Sequence, residues 1–264
     1  MQRVIPLVCF TTKRQFSCTF PRFAGKKAAL IVGAGDSTGS AISRAFANEG
    51  FHICAVRRNK EKLSPLISEI SGKGQGITGL GVDCRKEDQV QEMVKQIETD
   101  IGPIEVAVHN IGANVHFGIT QTTARVYYKV WEMACFSGFL VGKEVATRMR
   151  ERGAGTIIFT GATASVRGGV GFSAFSGAKF GLRSLSQSMA RELGPEGIHV
   201  AHVVVDGGID TPFVFENLPG AKELAKIGGL LNPDEIAQNY IHLFKQPKSA
   251  WTQEMDLRPY CEKW

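Results

Sequence analysis

The sequence predicts one α/β domain, a doubly wound parallel sheet of about seven strands with helices on both faces. Short apolar runs alternate with helical patterns through most of the 264-residue chain. The apolar runs are nearly continuous, as in strands that are buried on both faces. No repeat or interdomain linker divides the chain, whose length suits a single core. These three observations indicate a parallel sheet covered by helices.

Strands are predicted where a short apolar run stands between turn-forming or charged residues. In chain order they cover 28–32, 52–56, 76–82, 104–109, 156–160, 199–205 and 251–257. The first run leads directly into a glycine-rich turn, so the sheet is expected to begin with a strand–turn–helix unit.

Helices are predicted where apolar residues recur three and four positions apart, as Val90, Met93 and Ile97 do. In chain order they cover 40–48, 60–70, 86–100, 123–150, 172–193 and 232–244. Residues 210–231 lack such a period. A segment that follows the sixth strand of a doubly wound fold lies over the carboxyl ends of the strands, so this one is expected to form a substrate lid.

The net charge of +6 is concentrated near the start of the chain, where residues 1–35 contain no Asp or Glu. That composition predicts a mitochondrial transit peptide in the basic leader 1–26, ahead of a domain at 27–264. Cleavage after Phe16 would leave 28 basic against 25 acidic residues, which removes the compositional support for a nucleic-acid role. The mitochondrial matrix is the expected compartment. The alternative is a merely basic N-terminus on a cytoplasmic protein.

Two further classes are excluded by composition. The six cysteines form no Cys-x-x-Cys pair, so neither a disulfide framework nor a zinc site is predicted, and no metal site is expected. No apolar run approaches the ~18–20 residues that cross a bilayer. A soluble protein is therefore expected.

A nucleotide site is predicted at the first strand–turn–helix unit, in a Rossmann-type arrangement. The pattern Gly33-x-Gly35-x-x-x-Gly39 follows a strand and opens a helix. Glycine lets the backbone approach a pyrophosphate, and the helix N-terminus supplies free N–H groups. The expected contacts are Gly33, Gly35, Ser37, Thr38 and Gly39. Asp36, within this turn, is expected to point to solvent or to cap the helix.

Two arginines at the end of the second strand indicate which dinucleotide binds. An acidic residue there would accept hydrogen bonds from the ribose of NAD, but Arg57 and Arg58 stand in its place. Guanidinium groups suit a 2′-phosphate, so NADP(H) is favoured over NAD(H). A solvated basic turn is the alternative.

From Lys27 to the C-terminus the chain resembles the short-chain dehydrogenase/reductase family. The segment Phe175-Ser176-Gly177-Ala178-Lys179 resembles the family's Tyr-x-x-x-Lys motif, and residues 109–112 resemble its Asn-Asn-Ala-Gly turn. The resemblance implies that Asp83 contacts adenine and that Lys179 bonds the nicotinamide ribose. Further cofactor contacts implied in the same way are Asn110, Gly112, Gly207, Ile209 and Thr211.

The same resemblance implies that most of the usual catalytic set is missing. Phe175 stands where the family has its proton-donating tyrosine, Ala162 where it has serine and Cys135 where it has asparagine. Only Lys179 is kept, and Asp206 replaces a proline beside the nicotinamide segment. General acid catalysis is worth roughly 10²–10⁴-fold, so an ordinary alcohol dehydrogenase with these residues would be slow.

Three hypotheses follow. In the first, an oxidoreductase reduces a carbonyl or an activated C=C bond of a small or acyl substrate with a substitute acid, either His116 or Asp206 acting with Lys179. In the second, the protein is an NADP(H)-binding pseudoenzyme with a regulatory role. In the third, it is a subunit of a larger oligomer. A homodimer or homotetramer is expected in any case, because the resemblance implies dimer interfaces on the long helices.

Overall fold

A computed structural model describes residues 27–262 of the chain. Its strands β1 to β7 are Ala28–Val32, His52–Arg57, Ile77–Gly81, Ile104–His109, Gly155–Thr160, Ile198–Val205 and Glu254–Leu257. All pair in parallel, in the order β3-β2-β1-β4-β5-β6-β7. The prediction of a doubly wound, seven-stranded sheet is therefore confirmed. The predicted leader 1–26 lies outside the described residues.

The helices cover both faces of this sheet. In chain order, α1 to α9 are Thr38–Asn48, Ser64–Gly72, Glu87–Asp100, Ala124–Trp131, Ser137–Arg152, Ser173–Leu193, Pro212–Asn217, Ala221–Lys226 and Pro233–Lys245. Within residues 27–262, no helix combines the length and apolar character needed to cross a bilayer.

Most predicted elements match within two residues, and the exceptions have local causes. The helix predicted from residue 60 begins as a 3₁₀ turn, because Pro65 occupies the first turn of α2. The predicted lid contains two short helices, α7 and α8, whose sequences lack the apolar periodicity that predicts a helix. The helix predicted at 123–150 is interrupted by a π-helical turn, Glu132–Phe136, between α4 and α5. The last strand begins at Glu254, later than predicted.

The core consists of two apolar layers, one on each face of the sheet. One layer packs α1 and α9 on the sheet around Phe46 and Tyr240, both fully buried. The other packs α3, α5 and α6 around Met149 and Phe159. Burying side chains of this size contributes about 1.5–3 kcal/mol each. The two layers leave one edge of the sheet, at the carboxyl ends of the strands, for the functional residues.

The sheet order reverses between β1 and β4, which are hydrogen-bonded neighbours. In open α/β sheets the ligand crevice opens at such a reversal, beyond the carboxyl ends of the strands. A third, smaller apolar cluster lies near this edge and contains Cys135 and Phe175. The fold thus brings the predicted cofactor turn and the predicted catalytic helix, α6, to the same edge.

Candidate active site

The glycine-rich turn after β1 is shaped by close backbone contacts. Gly33 has φ 84°, and a side chain there would collide with the backbone carbonyl of Asn110. A Cβ on Gly39 would lie 2.7 Å from the Cα of Ala34, so α1 is packed directly on the turn. At Gly35 the nearest atom to such a Cβ is 3.9 Å away, which leaves open space beside the turn. The turn is therefore closed on its protein side and open on its outer side.

The start of α1 fits a pyrophosphate group. Ser37 is the N-cap residue, yet its side chain makes no capping bond, and its buried Oγ has no hydrogen-bond partner among the described residues. The next residue, Thr38, is also buried. The first N–H groups of a helix lack intrahelical partners, and an anion satisfies them. A phosphate bound here would accept hydrogen bonds from these N–H groups and would also give the Ser37 hydroxyl a partner.

A cavity of about 300 Å³ extends from this turn along the ends of the first four strands. Its lining includes Gly33, Gly35, Arg57, Arg58, Asp83, Asn110 and Gly112, all of which the sequence predicted as cofactor contacts. A Cβ on Gly112 would meet nothing within 4 Å, so this glycine leaves room in the cavity. The structure thus brings these seven predicted contacts, from four different loops, into one cleft. The lining does not include the other predicted contacts, which are Ser37, Thr38, Gly39, Lys179, Gly207, Ile209 and Thr211.

Asp36 has a partner that the sequence did not predict. Its Oδ1 accepts a hydrogen bond from Arg57 Nη1 at 2.8 Å, and its side chain is 82% exposed. The carboxylate does point outward, as expected, but it does not cap α1. Arg57 also donates to the Lys62 carbonyl at 3.2 Å, so its guanidinium is fixed at the mouth of the cavity.

Asp83 and Asn110 are both held by protein partners. Arg85 donates to the two Asp83 oxygens at 2.8 and 2.7 Å, and these bonds lower the pKa of the carboxyl. Asn110 Nδ2 donates to the Gly33 carbonyl at 3.1 Å, which ties the end of β4 to the glycine turn. Sequence reasoning missed Arg85, although its position two residues after a predicted adenine contact was a usable signal.

Lys179, on α6, is only 2% exposed. Its Nζ donates to the carbonyls of Thr160 at 2.8 Å and Ile111 at 3.1 Å, beyond the ends of β5 and β4. Burial lowers its pKa from 10.5 to about 8. An ammonium group has three donors, so one N–H remains beyond these two bonds. The site therefore contains a buried cation whose proton is exchangeable near neutral pH.

Two of the positions predicted to lack catalytic groups, Phe175 and Cys135, lie beside this lysine. The Phe175 ring centroid is 5.9 Å from Lys179 Nζ, and Phe175 is nearly buried. Cys135 lies in the π-helical turn, where burial raises the pKa of its thiol and the charge of Lys179 opposes that shift. The Ala162 N–H donates to Ser165 Oγ at 3.1 Å, and Ser165 is fully buried. Neither the Phe175 nor the Ala162 side chain carries a group that can donate a proton.

Asp206, at the end of β6, is 5% exposed and belongs to a different cluster. Thr163 Oγ1 donates to its Oδ1 at 2.6 Å, and Arg258 and Arg167 lie 3.7 and 3.9 Å from its oxygens. Within residues 27–262, no hydrogen bond or ion pair joins Asp206 to Lys179. The expected sharing of a proton between these two groups is therefore not seen, because each is already bonded elsewhere.

His116 lies at the surface, between β4 and α4. Its ring packs edge-on against Phe172, with the centroids 4.9 Å apart, and a side chain at Gly171 would collide with it. Phe117 N donates to the Gly171 carbonyl at 2.8 Å, so this loop is held at the start of α6. His116 therefore borders the site rather than contacting Lys179.

The segment after β6 is held by the lid and by the end of the chain. Gly207 has φ 147°, and a Cβ there would lie 2.8 Å from Pro259. Ile209 forms an isolated bridge with Leu231, and Thr211 caps α7 by accepting from Val214 N at 3.2 Å. Thr211 thus has a structural task in addition to its predicted contact.

A buried polar network under the site was also missed. His202, in the middle of β6, is fully buried, and its Nδ1 lies 3.0 Å from Glu254 Oε2. Burial lowers the pKa of His202 to about 4, so the ring is neutral at physiological pH. Arg183 Nε donates to the same Glu254 at 2.6 Å. Within the described residues, no group of His, Cys, Asp and Glu is arranged to hold a metal ion.

The reversal of sheet order, the glycine turn at a helix N-terminus and the cleft beside it define a dinucleotide-binding domain of the Rossmann type. The family model described as short chain dehydrogenase matches residues 27–220. The chain belongs to the short-chain dehydrogenase/reductase family, which places it among the NAD(P)-dependent oxidoreductases.

Individual relatives agree with this assignment. A short-chain dehydrogenase from Rhodopseudomonas palustris is 47% identical, with a TM-score of 0.77, covering 89% of this chain and 99% of its own. Dehydrogenase/reductase SDR family member 4 from Homo sapiens is 28% identical over 235 residues, covering 86% of this chain and 84% of its own. A metagenomic short-chain oxidoreductase in complex with NADP shares the fold, at 21% identity and a TM-score of 0.75, over 88% of this chain and 97% of its own.

Proposed function

We propose that this protein is an NADP-dependent oxidoreductase with a non-classical active site, which reduces a carbonyl or an activated C=C bond of a small or acyl substrate. The observation that carries the proposal is that one edge of the sheet, at the carboxyl ends of the strands, holds both an anion-binding turn and a buried lysine ammonium. Gly33, Gly39 and Ser37 supply the first, and Lys179 supplies the second. A cofactor bound between them would supply the hydride.

The preference for NADP(H) over NAD(H) rests on the basic end of the cleft. Arg57 is the last residue of β2, Arg58 follows it, and both line the cavity. Guanidinium groups bind phosphate with two parallel hydrogen bonds, whereas the ribose hydroxyls of NAD call for an acidic acceptor. Arg58 forms no salt bridge among the described residues, although its charge contributes to the lowered pKa of Asp83.

Lys179 is the first candidate for the proton. A general acid works best when its pKa lies near the operating pH, and burial lowers the pKa of Lys179 to about 8. The Phe175 ring on one side of the ammonium is apolar and contributes to this desolvation. Asp206, bonded to Thr163, and His116, at the rim of the site, are the other candidates.

An activated C=C bond fits this set better than an unactivated ketone. The usual serine and tyrosine stabilise charge that develops on a carbonyl oxygen, and Ala162 and Phe175 cannot do so. When an activated C=C bond is reduced, the negative charge of the transition state is delocalised over several atoms. That charge needs less stabilisation at any one oxygen, so one buried cation can supply a larger share of it.

The alternative function is an NADP(H)-binding pseudoenzyme that acts as a regulatory or oligomer-forming partner. It is favoured by the absence of a hydroxyl at Phe175 and Ala162 beside an otherwise intact cleft. A homodimer or homotetramer fits a row of stacked rings in which exposed Trp131 of α4 and exposed Phe139 of α5 flank the partly buried Phe136 of the π-helical turn.

One pair of assays separates the two functions. NADPH and NADH binding is measured by fluorescence titration, and NADPH consumption is then followed with a panel of ketones, aldehydes and enoyl thioesters. Turnover with at least one class, lost in Lys179→Met, supports the enzyme. Tight NADPH binding without turnover on any class would refute it and favour the pseudoenzyme.

We also propose that residues 1–26 direct import into the mitochondrial matrix, with cytoplasmic residence as the alternative. The basic, acid-free composition of this stretch supports the proposal. Fusion of residues 1–26 to a fluorescent protein tests it. Cytoplasmic fluorescence would contradict it.

A further inference from the structure

Asp36 holds the arginine to which the proposed function assigns the 2′-phosphate. We propose that it is a built-in counter-ion that competes with that phosphate and so sets the preference between the two dinucleotides. The proposal rests on NADP binding as argued above. Its geometric basis is the 2.8 Å bond from Arg57 Nη1 to Asp36 Oδ1.

The position of Asp36 has no other structural explanation in the described residues. It lies one residue before Ser37, the N-cap of α1, and makes no capping bond. Its side chain is 82% exposed, so it packs against little and supports no core. Its carboxylate forms one ion pair, and that pair is with Arg57. The interaction is therefore a property of the nucleotide site rather than of the fold.

The charges near the cleft explain why the Asp36–Arg57 pair would affect phosphate binding. Asp83, which lines the cavity, is bonded to Arg85, and Glu69 and Asp234 are both bonded to Arg44, so these acids already have other partners. A phosphate that approaches Arg57 would have to displace the Asp36 carboxylate or lie beside it. A ligand with a free 2′-hydroxyl carries no such charge and meets no such penalty.

The expected change in affinity follows from the exposure of the Asp36–Arg57 ion pair. Such pairs contribute modestly and are screened by salt. Asp36→Asn keeps the side-chain shape and removes the charge. It should strengthen binding of a 2′-phosphate ligand by about two- to fivefold at low ionic strength. Binding of the matching 2′-hydroxyl ligand should change less than about twofold. At high salt the difference should shrink.

The experiment uses 2′,5′-ADP and 5′-AMP as probes, because they differ only in the 2′-phosphate, neither contains the nicotinamide and turnover plays no part. Their dissociation constants are measured by calorimetry for the wild type and Asp36→Asn at low and high salt. Glu92→Gln is the matched control, since it removes one exposed negative charge from α3, away from Arg57. Asp36→Ser serves as a second variant, and thermal unfolding checks that each protein is folded.

A gain for 2′,5′-ADP alone that disappears when Arg57→Ala is added supports the proposal. An unchanged ratio in Asp36→Asn, with a wild type that prefers 2′,5′-ADP, overturns the counter-ion role and leaves NADP binding intact. A loss of 5′-AMP affinity also overturns it, because Asp36 would then bind the ribose hydroxyl. A wild type without preference, insensitive to Arg57→Ala, overturns the NADP assignment and this proposal together.

Discussion

The buried ammonium of Lys179 predicts that stability rises at alkaline pH. Burial lowers its pKa from 10.5 to about 8. Between these values an unfolded chain binds a proton that the folded protein does not, so the free energy of unfolding increases with pH. One pKa unit corresponds to about 1.4 kcal/mol, so the charged lysine costs the folded state about 3 kcal/mol at neutral pH. Roughly 2–3 kcal/mol of this should be recovered by pH 10.

Chemical denaturation of the wild type and Lys179→Met from pH 7 to 10 measures this effect. The substitution also removes the bonds to Thr160 and Ile111, but that loss does not depend on pH. The free energy of unfolding of the wild type, relative to that of Lys179→Met, should therefore increase by roughly 2–3 kcal/mol from pH 7 to 10. Lys95→Met, at an exposed position of α3, controls for loss of a surface lysine.

A difference that stays constant within about 0.5 kcal/mol would show that the Lys179 ammonium is not desolvated, since titration with an ordinary pKa adds no such slope. The role of Lys179 as the acid would then lose its physical basis. If the lysine does supply the proton, the rate of substrate reduction should fall about tenfold per pH unit above pH 8.

Three further outcomes are expected. Arg57→Asp should lower the ratio of NADPH to NADH affinity by at least about tenfold in fluorescence titrations, because it replaces a phosphate ligand with a ribose acceptor; an unchanged ratio would contradict the assignment of the 2′-phosphate site. Phe175→Tyr should raise carbonyl reduction in steady-state assays by restoring a donor; an unaltered rate would point to Ala162 and Cys135, or to a substrate that is not a carbonyl. His202 has a pKa of about 4, against 6.5 for the free side chain, so stability should fall as the pH drops below 6.5. The expected loss is about 2 kcal/mol by pH 5, measured by denaturation against His202→Gln, which should lack it.

The strands and the cofactor turn could be predicted because their signals are local. A buried parallel strand is a nearly continuous apolar run, and Ala28–Val32 is fully buried as that pattern requires. The turn after it was found because glycine is needed where Gly33 meets Asn110 and Gly39 meets Ala34. In both cases the prediction depends on the residues of the segment itself and not on distant partners.

The partners of the charged groups could not be predicted, because they depend on which strand ends are neighbours. Arg57 meets Asp36 since β1 and β2 pair with Val32 opposite Val56. Asp206 turns to Thr163 rather than to Lys179 for a similar reason, as β5 and β6 are adjacent. Such contacts join residues 21 to 43 positions apart.

The π-helical turn at Glu132–Phe136 has a consequence for how this site could have changed over time. A π turn holds its hydrogen bonds over five residues instead of four, so it accommodates one more residue than an α turn. Removal of one residue from the turn would convert it to regular α-helix and rotate the residues on one side of the deletion relative to those on the other. The residue that stands beside Lys179 on this side therefore depends on the length of one turn as well as on the amino acid at one position.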